Sequence, residues 1–373
     1  MSDISQTFKT ITEMKSSSTT FIISILILII LAITIYYVIY YRNLQKNECS
    51  NMTSLYGDLN GKILSIRSNL QNYQYTLKDY YIKTAYNACS GGDYKNDYVD
   101  TCILTNLLKQ GIRGLDFEIF SVEDDVPVVA TSVGDSYFIK ETFNYVKFND
   151  VLTMINNYAF AQSTSPNPRD PIIIHLRFKT SNQNTYKNMA KLLESYSSIL
   201  LGKEYSYENH GKNLGDAKLS DLMGKVVIIV DKSNNSFLEC QEFYEYVNMT
   251  SNSVFMRALH YYDIAYTPDM NELIEYNKLN MTIGLPDKGA NPENPNSVVM
   301  REMGCQMLAM RYQEIDINLE ENDIFFDENN SAFVLKPENL RYKPEVIELP
   351  PPQNPELSYA TREVKSDYYK FEI

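Results

Sequence analysis

Apolar positions fall along this chain in three patterns. From Phe21 to Tyr41 they are continuous, and FIISILILIILAITIYYVIYY holds no charged residue. As a helix rising about 1.5 Å per residue, this run is about 31 Å long, the thickness of a hydrocarbon core. From about residue 76 onward, short apolar runs alternate with longer helical stretches. The flanks, 1–19 and 344–373, hold too few apolar clusters for a core. They read as a disordered polar tail and an extended acidic tail with three prolines at 350–352.

Tyr36, Tyr37, Tyr40 and Tyr41 gather at one end of the continuous run, as interfacial aromatics do, and Arg42 follows. A signal peptide would be shorter and end in small residues. Residues 20–41 therefore predict an uncleaved single-pass helix whose bilayer is the chain's one nameable partner. Lys9 and Lys15 before the span balance Arg42 and Lys46 after it, which leaves the orientation open. Residues 42–75 read as a juxtamembrane stalk or a first packing helix.

Strand candidates in the alternating region are 80–87, 114–120, 126–131, 171–178, 225–231, 246–250, 280–286 and 305–312. Helical text such as 148–160 and 183–201 lies between several of them. Helices between strands imply parallel pairing, and this many strands over 76–343 predict a closed (β/α)8 TIM-type barrel.

The net charge is −13, and Glu314–Ile373 alone holds 14 acidic against 6 basic residues. Such a balance excludes nucleic-acid binding and argues against docking on anionic lipid, since both rely on lysine and arginine. The cysteines (Cys49, Cys89, Cys102, Cys240 and Cys305) show no metal spacing. Their odd number excludes a complete disulfide framework, although one pair, for instance Cys89 with Cys102, would close a loop.

The stretch GIRGLDFEIF (111–120) places Asp116 and Glu118 on one face of a strand, with Leu115, Phe117 and Ile119 on the other. Two carboxylates on an inward face call for a partner. Of the histidines, His175 shares a strand face with Arg177 and reads as a hydrogen-bonded core residue. His210 and His260 lie in loop-like or helical text.

These words, in this order, resemble the catalytic barrel of eukaryotic phosphoinositide-specific phospholipase C. TAYNACSG (84–91), the 111–120 strand, FNDVLTMINNYAF, PIIIHLRF and LSDLMGKVVIIV are similar to its X region (76–232). EYNKLNMTIGLP, MGCQMLAMRYQEIDINL and FVLKPENLR are similar to its Y region (246–343). The resemblance implies two catalytic histidines, a calcium ion held by Asn and three acids, and basic residues on the phosphate. Carried onto this chain, the histidine positions fall on Tyr86 and Thr131. The calcium set falls on Asn87, Asp116, Glu118 and Arg177, so that an arginine replaces one ligand. The phosphate-binding positions fall on Ile229, Asp231 and Ile283. Neither tyrosine nor threonine titrates near neutral pH.

The resemblance thus predicts a vestigial metal site without calcium or any other cofactor, with Arg177 paired to both acids. It predicts a membrane-anchored pseudoenzyme serving as a structural or binding module. One alternative is an active phosphodiesterase using His175 as a displaced base; another is a lipid- or glycan-binding receptor domain. The composition suits a membrane protein of a large DNA virus or a protist, in a virion or host-derived membrane.

Overall fold

The computed structural model describes residues 2–67, 69–134, 138–344 and 359–373, with residues 2–19 and 71 as backbone only. One helix runs without interruption from Ser2 to Tyr56. The expectation of disorder over 1–19 is thereby corrected from Ser2 onward. No glycine or proline precedes Gly57, so no strong helix breaker stands before that point. Its segment from Thr20 is long and apolar enough to cross a membrane.

Among the described residues, eleven strands belong to the main sheet: β1 (Tyr80–Ala85), β2 (Gly114–Val122), β3 (Val126–Ala130), β4 (Val146–Lys147), β5 (Ile172–Phe178), β6 (Val226–Asp231), β7 (Met249–Ser251), β8 (Met256–His260), β9 (Met281–Leu285), β10 (Met307–Met310) and β11 (Phe333–Leu335). Eight of them form a nearly closed barrel in the order β7-β6-β5-β2-β1-β10-β9-β8. Every ladder along that path is parallel. β7 and β8 end the path, and the seam of the barrel lies between them.

Two strand assignments need correction. Residues 126–131 are not a barrel stave, because β3 pairs antiparallel with β2 and carries β4 on its far side. Only Glu123–Asp125 separate β2 from β3, too few residues for a parallel crossover and enough for a hairpin. The missing stave is β8, whose half-exposed MRALH sequence lacks a clear apolar run. His260 therefore ends a strand.

Alternation then decides which side chains face inward. Register partners share a face, so Asp116, His175 and Ile229 point into the barrel together, as do Glu118 and Arg177 one layer nearer the mouth. Gly114 is required in the layer below: a β-carbon there would lie 2.2 Å from the Thr84 hydroxyl. The floor is closed by Gln306, whose Nε2 donates to the carbonyls of Lys78, Asn277 and Asn280 while its Oε1 accepts from the Thr282 amide. Lys336 Nζ donates to the Asn277 carbonyl at 2.8 Å and lies 3.3 Å from that of Gly304. Gln306, in MGCQMLAMRYQEIDINL, and Lys336, in FVLKPENLR, are thus structural clamps far from the mouth.

A disulfide joins Cys49 to Cys102, in place of the Cys89–Cys102 pairing, and Cys89 is buried as a free thiol. Cys49 lies on the long N-terminal helix, which the sequence could not place against the barrel. Tyr342–Ile373 form a separate unit. In it β12 (Glu363–Lys365) and β13 (Lys370–Glu372) make a small antiparallel hairpin where an extended tail was expected. The proline run lies outside the described residues.

Candidate functional site

The carboxyl ends of the barrel strands converge on a charged cluster built around Arg177. Its Nε donates to Asp116 Oδ1 at 3.0 Å, its Nη2 to Asp116 Oδ2 at 2.7 Å, and its Nη1 to Glu118 Oε1 at 2.8 Å. Nη2 also donates to Asn87 Oδ1 at 3.0 Å. Asn87 follows β1 with φ at +45°, a left-handed conformation that asparagine tolerates better than most residues. The Tyr86 ring lies under the guanidinium, 4.6 Å from its carbon. Asp116, Glu118 and Arg177 are all buried.

Burial would push Asp116 up, but Arg177 and His175 hold its carboxyl well below the ordinary range. For Glu118 burial prevails over Arg177, Lys179 and the Ser132 hydroxyl, and its pKa is raised. Burial opposes the charge on Arg177 as well. The neighbouring Asp116, Tyr86 and Glu118 outweigh it and keep the guanidinium protonated.

Beneath this cluster, His175 Nδ1 is 2.7 Å from Asp116 Oδ1 and its Nε2 is 2.8 Å from Ser251 Oγ. The connectivity is that of a serine–histidine–aspartate relay, yet all three residues are solvent-inaccessible. Asp116 is also shared with Arg177, which lies toward the mouth. A cavity of about 410 Å³ does open there, lined by Arg177, Lys179, Asp231, Asn252, His260 and Leu285 among others, with His175 and Ser251 outside its lining. A substrate in this cavity meets Arg177 before it meets the imidazole.

The other sequence-selected residues serve local structure. Tyr86 is buried, which raises its pKa well above that of a free phenol. Thr131 Oγ1 donates to the Tyr94 carbonyl at 2.9 Å. Ile229 and Ile283 are buried in the barrel interior. Asp231 accepts hydrogen bonds from the Ser233 amide at 2.9 Å and from Asn252 Nδ2 at 2.8 Å, while the Ala258 amide donates to Asn252 Oδ1. Asn252 thereby joins β6 to β8 across the seam. His260 Nδ1 lies 2.6 Å from the Pro286 carbonyl, and His210 is exposed in a left-handed turn.

Sequence reasoning missed Ser251, Ser132 and Asn252. Ser132 Oγ donates to Glu118 Oε2 at 2.8 Å. Ser251 and Asn252 sit in the polar run NMTSNS, and only the strand order reveals what they face. A hard divalent cation needs free carboxylate and amide oxygens. Here the Asn87 oxygen and both Asp116 oxygens are directed at a guanidinium. The buried Asn87 Nδ2 has no hydrogen-bond partner, so this amide offers its oxygen to Arg177 at the expense of its nitrogen. As arranged, this donor set does not fit calcium.

The X-domain model of phosphatidylinositol-specific phospholipase C matches residues 73–232, and the Y-domain model matches residues 226–339. Among solved structures, PLC21 from S. officinalis superposes with a TM-score of 0.59 at 19% identity, covering 73% of this chain. PLC21 from L. pealei gives 0.58 at 19% identity over the same share. This chain spans only 38% of the length of each. No curated protein matches the chain by sequence. With both domain models in order along one parallel barrel, the chain belongs to the phosphatidylinositol-specific phospholipase C family.

Proposed function

We propose that this chain is a membrane-anchored phospholipase C-like barrel that no longer cleaves phosphodiesters and acts as a structural or binding module. One observation carries the reading: the Arg177 guanidinium is bonded to Asn87, Asp116 and Glu118 together. A fixed cation there repels a divalent ion at short range and leaves the acids no free oxygen pair to offer it. Tyr86 and Thr131, where imidazoles would be needed, supply no group that titrates near neutral pH. Loss of charge at Ile229 and Ile283, and a carboxylate at Asp231, further weaken any hold on a phosphate.

The Ser251–His175–Asp116 relay favours a second reading, an active phosphodiesterase with a displaced base. Its burial beneath Arg177 weighs against it. The test uses the full chain in detergent micelles containing phosphatidylinositol or its phosphorylated forms, with calcium or with chelator. Release of soluble inositol phosphate at background level is the expected result. Turnover that vanishes in His175→Asn would replace the first reading with the second.

A further inference from the structure

We infer that the floor of the barrel carries a docking groove for an extended, acidic, proline-rich segment of a partner protein. The groove lies at the opposite end of the barrel from Arg177. The inference therefore stands apart from the proposed loss of catalysis, and its failure would leave that reading untouched.

Three pieces of chain meet below the staves to form it. The strap between the long N-terminal helix and β1 supplies Ile66 and Tyr73. The loop entering β5 supplies Phe160, Pro168 and Arg169, and the turn entering β6 supplies Met223. The groove they line has a volume of about 340 Å³. Hydrogen bonds fix its walls in place. The Leu64 amide donates to the Asn330 carbonyl at 3.1 Å, and the Ile66 amide to Asp170 Oδ1 at 2.9 Å. The Arg169 amide donates to Ser65 Oγ at 3.2 Å, and the Gly224 amide to the Arg169 carbonyl at 2.7 Å. A groove held this way has little freedom left to lose on binding.

Its chemistry selects the occupant. Tyr73, Phe160 and Met223 are only half-buried, and Leu64 and Leu70 stand exposed on the same strap. Aromatic-lined grooves of this kind receive polyproline II segments. The polar side chains are a phenol hydroxyl, Tyr73, and two exposed guanidiniums, Arg169 and its neighbour Arg67 next to Ile66. All three donate hydrogen bonds, and among the described residues none of these groups has a partner within the chain. In a chain of net charge −13, no carboxylate lines the groove among the described residues. The occupant must therefore bring apolar rings, carbonyl acceptors and negative charge, and it needs no N–H donors. Proline supplies the rings and acceptors, lacks the N–H and enters with its extended conformation preset, which lowers the ordering cost. Glutamate or aspartate supplies the charge that pairs with Arg67 and Arg169. An acidic helix is a poorer match, because its carbonyls are already spent on its own amides.

The full chain in detergent micelles is titrated with a fluorescein-labelled peptide of prolines interrupted by glutamates and one leucine, followed by anisotropy. Two counterpart peptides carry alanine for every proline, or glutamine for every glutamate. Saturable binding of the first peptide is expected, with both counterparts about tenfold weaker. Arg169→Glu should weaken the first peptide about tenfold and Tyr73→Phe about fivefold. Arg67→Glu, at another exposed position, is the second charge variant should Arg169→Glu not fold. Lys187→Glu removes an exposed cation from the helix Gln183–Ser195, away from the groove, and should change nothing. Equal binding of the alanine peptide, or a loss in Lys187→Glu as large as in Arg169→Glu, would reduce the effect to unspecific attraction and overturn the inference. Absence of saturable binding by the proline–glutamate peptide overturns it as well.

Discussion

Replacing Arg177 with methionine keeps most of the aliphatic stem and removes the charge. Two carboxylates are then left buried with no cation bonded to them. Three charge-assisted hydrogen bonds to Asp116 and Glu118, at 2.7–3.0 Å, disappear together. Removing one partner of a buried pair costs about 3–5 kcal/mol, because the surviving charge cannot be rehydrated. Near the melting temperature, taking the low end for a large domain, that is about 6–10 °C. The pH dependence gives a sharper signature than the size.

In the native chain the Asp116 pKa is depressed. Its contribution is present above the unfolded value, near 4, and is lost as pH falls toward the folded value. In Arg177→Met both acids lose the cation that opposed their burial, so their pKa values rise. Acidification between pH 8 and 4.5 should then stabilise the variant more steeply than the native chain, in which the Asp116 contribution is constant over that window and only Glu118 is raised. Thermal unfolding of the full chain in micelles from pH 4.5 to 8, followed by circular dichroism, reads both quantities. A variant within about 1 kcal/mol of the native chain and with its slope would show that Arg177 does not neutralise the pair, because buried-pair disruption is far larger. In the companion variant Arg177→Glu, a restored acid should let calcium raise the melting temperature. Calcium-dependent stabilisation of the native chain would refute the reasoning.

Burial, with Asp97 alongside, pushes the Glu48 carboxyl up to about 10. A folded value above the unfolded one contributes stability that is complete below about pH 4.3 and is lost as pH rises toward 10. Glu48→Gln should therefore gain on the native chain as pH rises through that window, measured as the difference between melting curves. Cys102→Ser should cost about 2–4 kcal/mol, since the Cys49–Cys102 bond spans 53 residues; denaturant titration measures it, and non-reducing peptide mapping should find Cys89, Cys240 and Cys305 unpaired. Gln306→Leu takes their side-chain partner from the Lys78 and Asn280 carbonyls and from the Thr282 amide, while the Asn277 carbonyl keeps Lys336, and should cost about 3 kcal/mol or more by the same titration, with the mouth unaffected.

The barrel was legible because each parallel strand needs a crossover, and its helical text stands between strands in plain view. Direction was less legible. VPVVAT carries the same apolar run as a stave, and only the short Glu123–Asp125 link betrays the hairpin. β8 escaped because a seam strand is half exposed and need not be apolar. Asp116, Glu118 and Arg177 could be read as neighbours from their alternation on two adjacent strands. Ser251 and Asn252 could not, since their partners lie on β5, β6 and β8, and no spacing in the chain encodes that neighbourhood. Helix docking was hidden for a related reason: Cys49 and Cys102 are each unremarkable until the fold brings them together.

The Asn252 side chain bridges β6 and β8 where the strand order ends. Among the described residues no backbone ladder crosses that line, which is closed by the Asn252 carboxamide and by the Ser253 amide donating to the Met256 carbonyl at 3.0 Å. The cavity above it, lined by Asn252 and Ala258 on that side, is therefore elastic in one direction and stiff in the others. Whatever occupies it can be accommodated by parting these few bonds, while the Arg177 knot on the facing staves stays tied.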